Sequence, residues 1–238
     1  RQRQMCIRDR SDLLILTAID NNIVEATTLI GSQAGRTLDT ISREVLAAGT
    51  NVQYAEGQVT SRAALTPEMK LTVKAVKKAV RFLKKQNAKK INGYYYGIVH
   101  PDCSYDLTED ARWIDAVKYK NPERIYNGEI GEIEGARFVE TTEAKIWAKA
   151  GAAKSTSDTT KIDVYGTLIF GANAYATTKI EGGGLKTIIK QLGSAGTGDP
   201  LDQRATVGWK ALKVTEILTE AYMIRIETAS TFSDGEAN

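Results

Sequence analysis

The chain has 238 residues, 42% hydrophobic and 26% charged, which is enough apolar content for a large buried core and too much for a disordered chain. No apolar run approaches the ~20 residues that cross a bilayer, and no secretory pattern is read in the opening residues, so no membrane partner is expected. Two cysteines, Cys6 and Cys103, and a single histidine, His100, exclude a disulfide framework, a four-ligand zinc site and multi-histidine metal centres.

The first ten residues, RQRQMCIRDR, hold four Arg against one Asp and carry the whole net charge of +3, leaving the remainder formally neutral. They lack periodicity, and MCIRDR resembles a translated sequencing-adapter artefact. Residues 1–10 are therefore expected to be a non-native leader outside the fold, with the true N-terminus missing; a native basic tail is the alternative. Ser11-Asp12 offers a helix N-cap, and Leu16, Ile19, Ile23, Ala26, Ile30, Ala34, Leu38, Ile41 and Val45 continue one helical face until Gly49 closes it. At ~1.5 Å per residue such a helix spans roughly 50 Å. Gly31 and Gly35 are expected to bend or break it. A lone apolar stripe of this length reads as a spine laid along a sheet.

Residues 50–64 form a polar connector, and Thr66-Pro67-Glu68 reads as cap, first-turn proline and first-turn acid of a second helix over 67–91. Its buried stripe is Met69, Val73, Val76, Val80 and Leu83, and Asn92-Gly93 ends it. A strand, 94–99, stops at Pro101; a short helix around Trp113 covers 106–119; a further strand is expected at 136–140. Residues 150–161 have no pattern and read as a loop. Ile162, Val164, Gly166, Leu168 and Phe170 alternate as a half-buried strand, and the alternations Val207, Trp209, Ala211 and Tyr222, Ile224, Ile226 predict two late antiparallel strands. The class is α+β, with the long helix and the last strands in one lobe and the middle of the chain in another.

Chemistry-bearing motifs are few. His100 and Cys103 straddle a proline turn with no orienting third group, which favours a turn over a nucleophile and base. Gly193, Gly196 and Gly198 lack the Gly-Lys-Ser/Thr of a phosphate loop, and Gly182-Gly183-Gly184 lacks a suitable helix start. Glu129, Glu132 and Glu134 have oxygen ligands for a divalent ion but no recognisable loop spacing, so neither metal nor cofactor is expected. The strongest signal is charge. Residues 66–92 hold nine basic residues against Glu68, whereas residues 100–143 hold eleven acids against five bases. The basic run could be a solvated face, a subunit contact or a phosphate-binding face; lysine dominates it over arginine, which weighs against base recognition. Lys74, Lys78, Arg81 and Lys85, with Glu129 and Glu132 opposite, are the charged candidates for a contact between subunits. Trp113, Trp209 and Arg204 are candidate anchors, because aromatics and arginine concentrate at interface centres, with ordinary core or sheet packing the equal alternative for each.

Several stretches, taken in order, resemble one family. They are 93–101 (GYYYGIVHP), Tyr105-Asp106-Leu107, Trp113-Ile114-Asp115-Ala116, 126–131 (YNGEIG), 135–141 (GARFVET), 199–204 (DPLDQR) and 206–210 (TVGWK). The sequence resembles the major capsid proteins of tailed bacteriophages, in the branch named after coliphage N-four, over nearly everything from Leu13 to Glu227. The resemblance implies a Hong Kong 97-type capsid fold: a peripheral lobe with a long spine helix and a sheet, an axial α/β lobe, an N-terminal arm and an extended hairpin, the E-loop. It implies that residues 11–64 are the spine helix and connector of the peripheral lobe, 65–198 mainly the axial lobe, and 199–238 late strands returning to the peripheral lobe. The arm and E-loop precede the spine helix in that fold, so an N-terminally truncated subunit is expected. The implied function is structural and not enzymatic: copies form hexamers and pentamers of an icosahedral virion shell around double-stranded DNA held without sequence specificity, assembled in the bacterial cytoplasm. Scaffold, portal and decoration proteins are the other implied partners. An encapsulin-like compartment shell and a nucleic-acid-binding module are the alternatives.

Overall fold

The computed structural model describes residues 2–11, 22–114, 131–155, 158–178, 183–191, 193–194, 201 and 203–233. In chain order the elements are β1 (Gln2–Ser11), α1 (Asn22–Ala47), β2 (Val52–Tyr54), α2 (Val73–Lys85), β3 (Tyr95–Val99), α3 (Pro101–Glu109), β4 (Gly131–Ile133) and β5 (Ala136–Glu140). They continue with β6 (Ile146–Trp147), β7 (Val164–Phe170), β8 (Tyr175–Thr177), β9 (Lys186–Lys190), β10 (Arg204–Lys213), β11 (Thr215–Ile217) and β12 (Met223–Thr228). The chain divides into two compact units: residues 1–42 with 177–215, and residues 43–176 with 216–238.

In the first unit β10 pairs antiparallel with β9 on one side and β1 on the other. Residues 1–10 were expected to lie outside the fold; the structure pairs Gln2–Ser11 along its whole length with Arg204–Lys213. Ala26, Ile30 and Ala34, spaced at four residues, form one stripe of α1 and pack on Val207, Trp209 and Ala211, alternate residues of β10. The helix runs unbroken through Gly31 and Gly35. Both lie on its exposed side, where an added Cβ would meet nothing, so the absent side chains leave no defect to bend around. Ser11, expected to cap this helix, is instead the last residue of β1, and residues 12–21 lie outside the described residues.

In the second unit the described residues build a seven-stranded sheet in the order β2-β12-β7-β3-β5-β4, with β6 also paired to β7. β8 and β11 form a separate two-stranded sheet. All seven residues of β7 are buried, because the sheet is covered on both faces. Tyr165 and Ile169 face a core with α2, α3, Phe138 and Ile224, whereas Leu168 and Phe170 face Leu46, Ala174 and Met223. The half-buried strand of the sequence reading is thus a central one. The two late alternating segments do not pair with each other: β10 belongs to the first unit and β12 lies between β2 and β7. The expected single return of residues 199–238 is accordingly divided at Thr215.

Two helix boundaries also move. α2 begins at Val73 and ends at Lys85, not at 67 and 91. Thr72 takes the capping role, its hydroxyl accepting from the Ala75 N–H, and the segment before it is tied by turns. The helix expected at 106–119 begins at Pro101, because His100 supplies an N-cap acceptor and proline suits the first turn. Residues 115–130 lie outside the described residues. The patternless stretch 150–161 is pinned at its base, where Gly151 and Ile162 pair and the Ala152 N–H donates to Leu65 O at 2.9 Å.

Candidate assembly surfaces

α2 buries Val73, Ala75, Val76, Ala79, Val80 and Leu83 and turns its cations outward. Those cations are not equivalent. At the N-terminal half Lys74 pairs with Glu56 at 2.6 Å, the Lys78 ammonium donates to the Glu56 carbonyl, and Lys77 pairs with Glu134 at 3.3 Å. The Lys74 hydrogen bond holds the Glu56 carboxyl below its usual range. Two of the predicted contact residues, Lys74 and Lys78, are therefore committed within the chain. Arg81, Lys84, Lys85 and Lys89 are exposed and have no partner among the described residues. Arg81 and Phe82 also line an open cleft of about 690 Å³, with Tyr54 and Val59 across from them.

α3 marks the opposite end of the same sheet, directly after β3. The His100 Nδ1 lies 3.3 Å from the Asp102 N–H, from which it accepts when unprotonated, and 3.3 Å from the Asp102 carboxylate. Burial holds the imidazole below its usual range, although Asp102 and Glu140 pull the other way. Cys103 is fully buried beside Thr228, and burial pushes its thiol far up, so it stays protonated. Asp106 accepts from the Ser230 hydroxyl at 2.8 Å and the Thr231 N–H at 3.0 Å, which fastens the segment after β12 to α3. Asp110 caps α2, accepting from the Val73 N–H at 2.9 Å. Tyr105 and Phe232, 46% and 43% exposed, stack edge-on with ring centroids 5.3 Å apart. Glu109 hydrogen-bonds Tyr105 and is itself exposed.

Of the two readings open for the tryptophans, interface anchor or core packing, the structure gives the second. Trp113 is 4% exposed and packs edge-on against Phe138; Trp209 is 3% exposed under α1, its indole N–H without an acceptor among the described residues. Arg204 is exposed at the first position of β10. Glu132 is half-buried in β4, and Glu129 lies outside the described residues. Glu134 is engaged by Lys77, and no group of three His, Cys, Asp or Glu converges as a metal site among the described residues.

One cluster escaped sequence reading. Glu227, fully buried, accepts from Arg62 Nε and Nη2, both at 2.7 Å, and from Arg225 Nε at 2.8 Å. The Arg62 guanidinium also lies 3.8 Å above the Trp147 ring. Arg225 Nη1 donates to the carbonyls of Ala47 and Gly49, satisfying the end of α1. Gly166 makes room for Trp147: a Cβ there would come within 2.8 Å of the indole.

A family model described as phage capsid protein matches residues 20–192. Among solved structures the fold is similar to a chain of the capsid of Ralstonia phage GP4, at 13% identity and a TM-score of 0.71 over 99% of this chain and 75% of that one. It is also similar to the cyanophage Pam1 capsid, at 10% identity and a TM-score of 0.70 over 96% and 74%. The holo-SrpI encapsulin of Synechococcus elongatus PCC 7942 follows the same fold at 9% identity and a TM-score of 0.57 over 99% and 76%. No curated protein matches the sequence.

Proposed function

Because the chain belongs to the phage capsid protein family, we propose that copies of it associate head to tail into hexamers and pentamers that tile an icosahedral shell around double-stranded DNA. The protein is a capsid subunit of a virion, with the α+β Hong Kong 97-type fold. Its role is structural and non-enzymatic. The observation that carries the reading is the family match across residues 20–192 on a fold shared over 99% of the chain with a phage capsid protein. The unit of residues 43–176 and 216–238 is assigned as the axial lobe, and the unit of 1–42 and 177–215 as the peripheral lobe. Many copies of a modest contact then give a stable shell, since each further contact in a closed ring is intramolecular. Scaffold, portal and decoration proteins would act on that shell.

Size-exclusion chromatography with light scattering, followed by negative-stain imaging, tests this directly. Five- and six-membered rings or closed shells are expected at high protein concentration. A monomer at every concentration, with scaffold supplied, would sink the reading. The encapsulin neighbour supports a second reading, a shell around protein cargo. Nuclease-protected DNA inside purified shells decides for the genome container, and protein cargo in its place decides for the compartment.

A further inference from the structure

The second unit is electrically polar along α2. Its N-terminal end meets α3 through the Asp110 cap on Val73, whereas the segment after its far end reaches the opposite ends of the central strands. There the Tyr95 hydroxyl donates to Ala88 O and the Ala172 N–H to Lys89 O, at the start of β3 and just past the end of β7. At ~1.5 Å per residue the helix separates the two ends by about 20 Å. The far end holds Arg81, Lys84, Lys85, Lys89 and Lys90 with no acid in residues 81–90. At the α3 end Glu109 is the exposed acid beside half-buried Asp102 and Asp110, while Asp106 is buried and paired with Lys70 at 3.8 Å. Beside those acids stands the solvent-exposed Tyr105–Phe232 pair, and beside the cations lies the cleft between Phe82 and Tyr54.

Like charges gathered at both ends would repel a second copy, and a uniform face would give no direction. Opposite charges at opposite ends of one unit make a surface complementary to the next copy of itself in one sense only, head to tail. The geometry points to a second copy of this chain as the occupant: the Tyr105–Phe232–Glu109 end of one subunit seats against the Arg81–Lys84–Lys85 end of its neighbour around the ring. This rests on the capsomer reading above and names the residues that set its direction. Packaged nucleic acid is the less suited occupant of the cations, because it leaves the exposed aromatic pair and Glu109 without a counterpart. Charges of this kind fix register and encounter more than affinity, so the contact should weaken as salt rises.

Complementary charge reversal on the full chain tests the pairing. Arg81→Glu with Lys85→Glu, and separately Glu109→Lys, should each lower the assembled fraction at low salt by at least about tenfold, because like charges then face each other. An equimolar mixture of the two variants should recover assembly, since reversed faces meet reversed partners in alternating six-membered rings. The triple variant carrying all three changes should recover it alone. Circular dichroism and thermal melting confirm that each variant is folded. Wild-type rings that none of the variants perturb, or losses that neither mixture nor triple variant repairs, overturn this inference and leave the capsid reading intact. Loss of DNA retention in the Arg81/Lys85 variant with unchanged ring formation assigns the cations to nucleic acid and also overturns it. A wild-type chain that never forms rings, with scaffold supplied, removes the capsomer reading and this one together.

Discussion

Glu227 shows how a single carboxylate holds three segments in register. Arg62 comes from the turn after β2, Arg225 from the same strand face as Glu227, and Arg225 also reaches the end of α1. Removing the carboxylate leaves Arg225, 9% exposed, without its counter-charge. Glu227→Ala should therefore lower unfolding free energy by about 3–5 kcal/mol, measured by urea denaturation. His100 gives a pH signature of known sign. Its folded pKa lies below the ordinary 6.5, so on acidification the unfolded chain takes up a proton that the folded chain declines. Stability is full above pH ~6.5 and falls as pH drops through the folded value. The expected outcome is a melting temperature that declines below pH 6.5, with that step absent in His100→Asn, which keeps an N-cap acceptor. Neither residue was legible as such. Alternation singled out Ile224 and Ile226 and is silent on Arg225 and Glu227, which are buried too because the sheet is covered on both faces.

At the scale of elements, apolar periodicity found α1, α2, β3, β5 and β7, and local chemistry misplaced their ends. Thr66-Pro67-Glu68 has the composition of a helix start, but Thr72 has the partner that matters, since Asp110 arrives from a distant segment to cap the same turn. No local rule can register a cap supplied from 37 residues away. Gly166 illustrates the converse, a residue explained only by its neighbour. The Trp147 indole lies where a Cβ would stand, and Arg62 stacked on the indole limits its retreat. Gly166→Ala should cost about 1–3 kcal/mol and alter tryptophan fluorescence, read out in the same unfolding experiment.

For the whole molecule, fold class and capsid role could be read from motif order, because the family pattern is spread over most of the chain. Lobe boundaries could not. They depend on where β12 inserts, and its sequence would serve equally well beside β10. Charge blocks were visible, but which cations remain available was not: Glu56 and Glu134 silence Lys74, Lys77 and Lys78, and only folding brings those acids to α2.

The insertion of β12 also sets an order of events during synthesis. β2 and β7 have no ladder between them except through β12, which follows both in the chain. Until Met223–Thr228 has left the ribosome, β7 keeps one edge open and β2 has nothing to pair with. The larger unit therefore cannot close its sheet before residue 228 has emerged. Closure by a strand made after both of its neighbours leaves that edge of β7 open for as long as the intervening residues take to be translated.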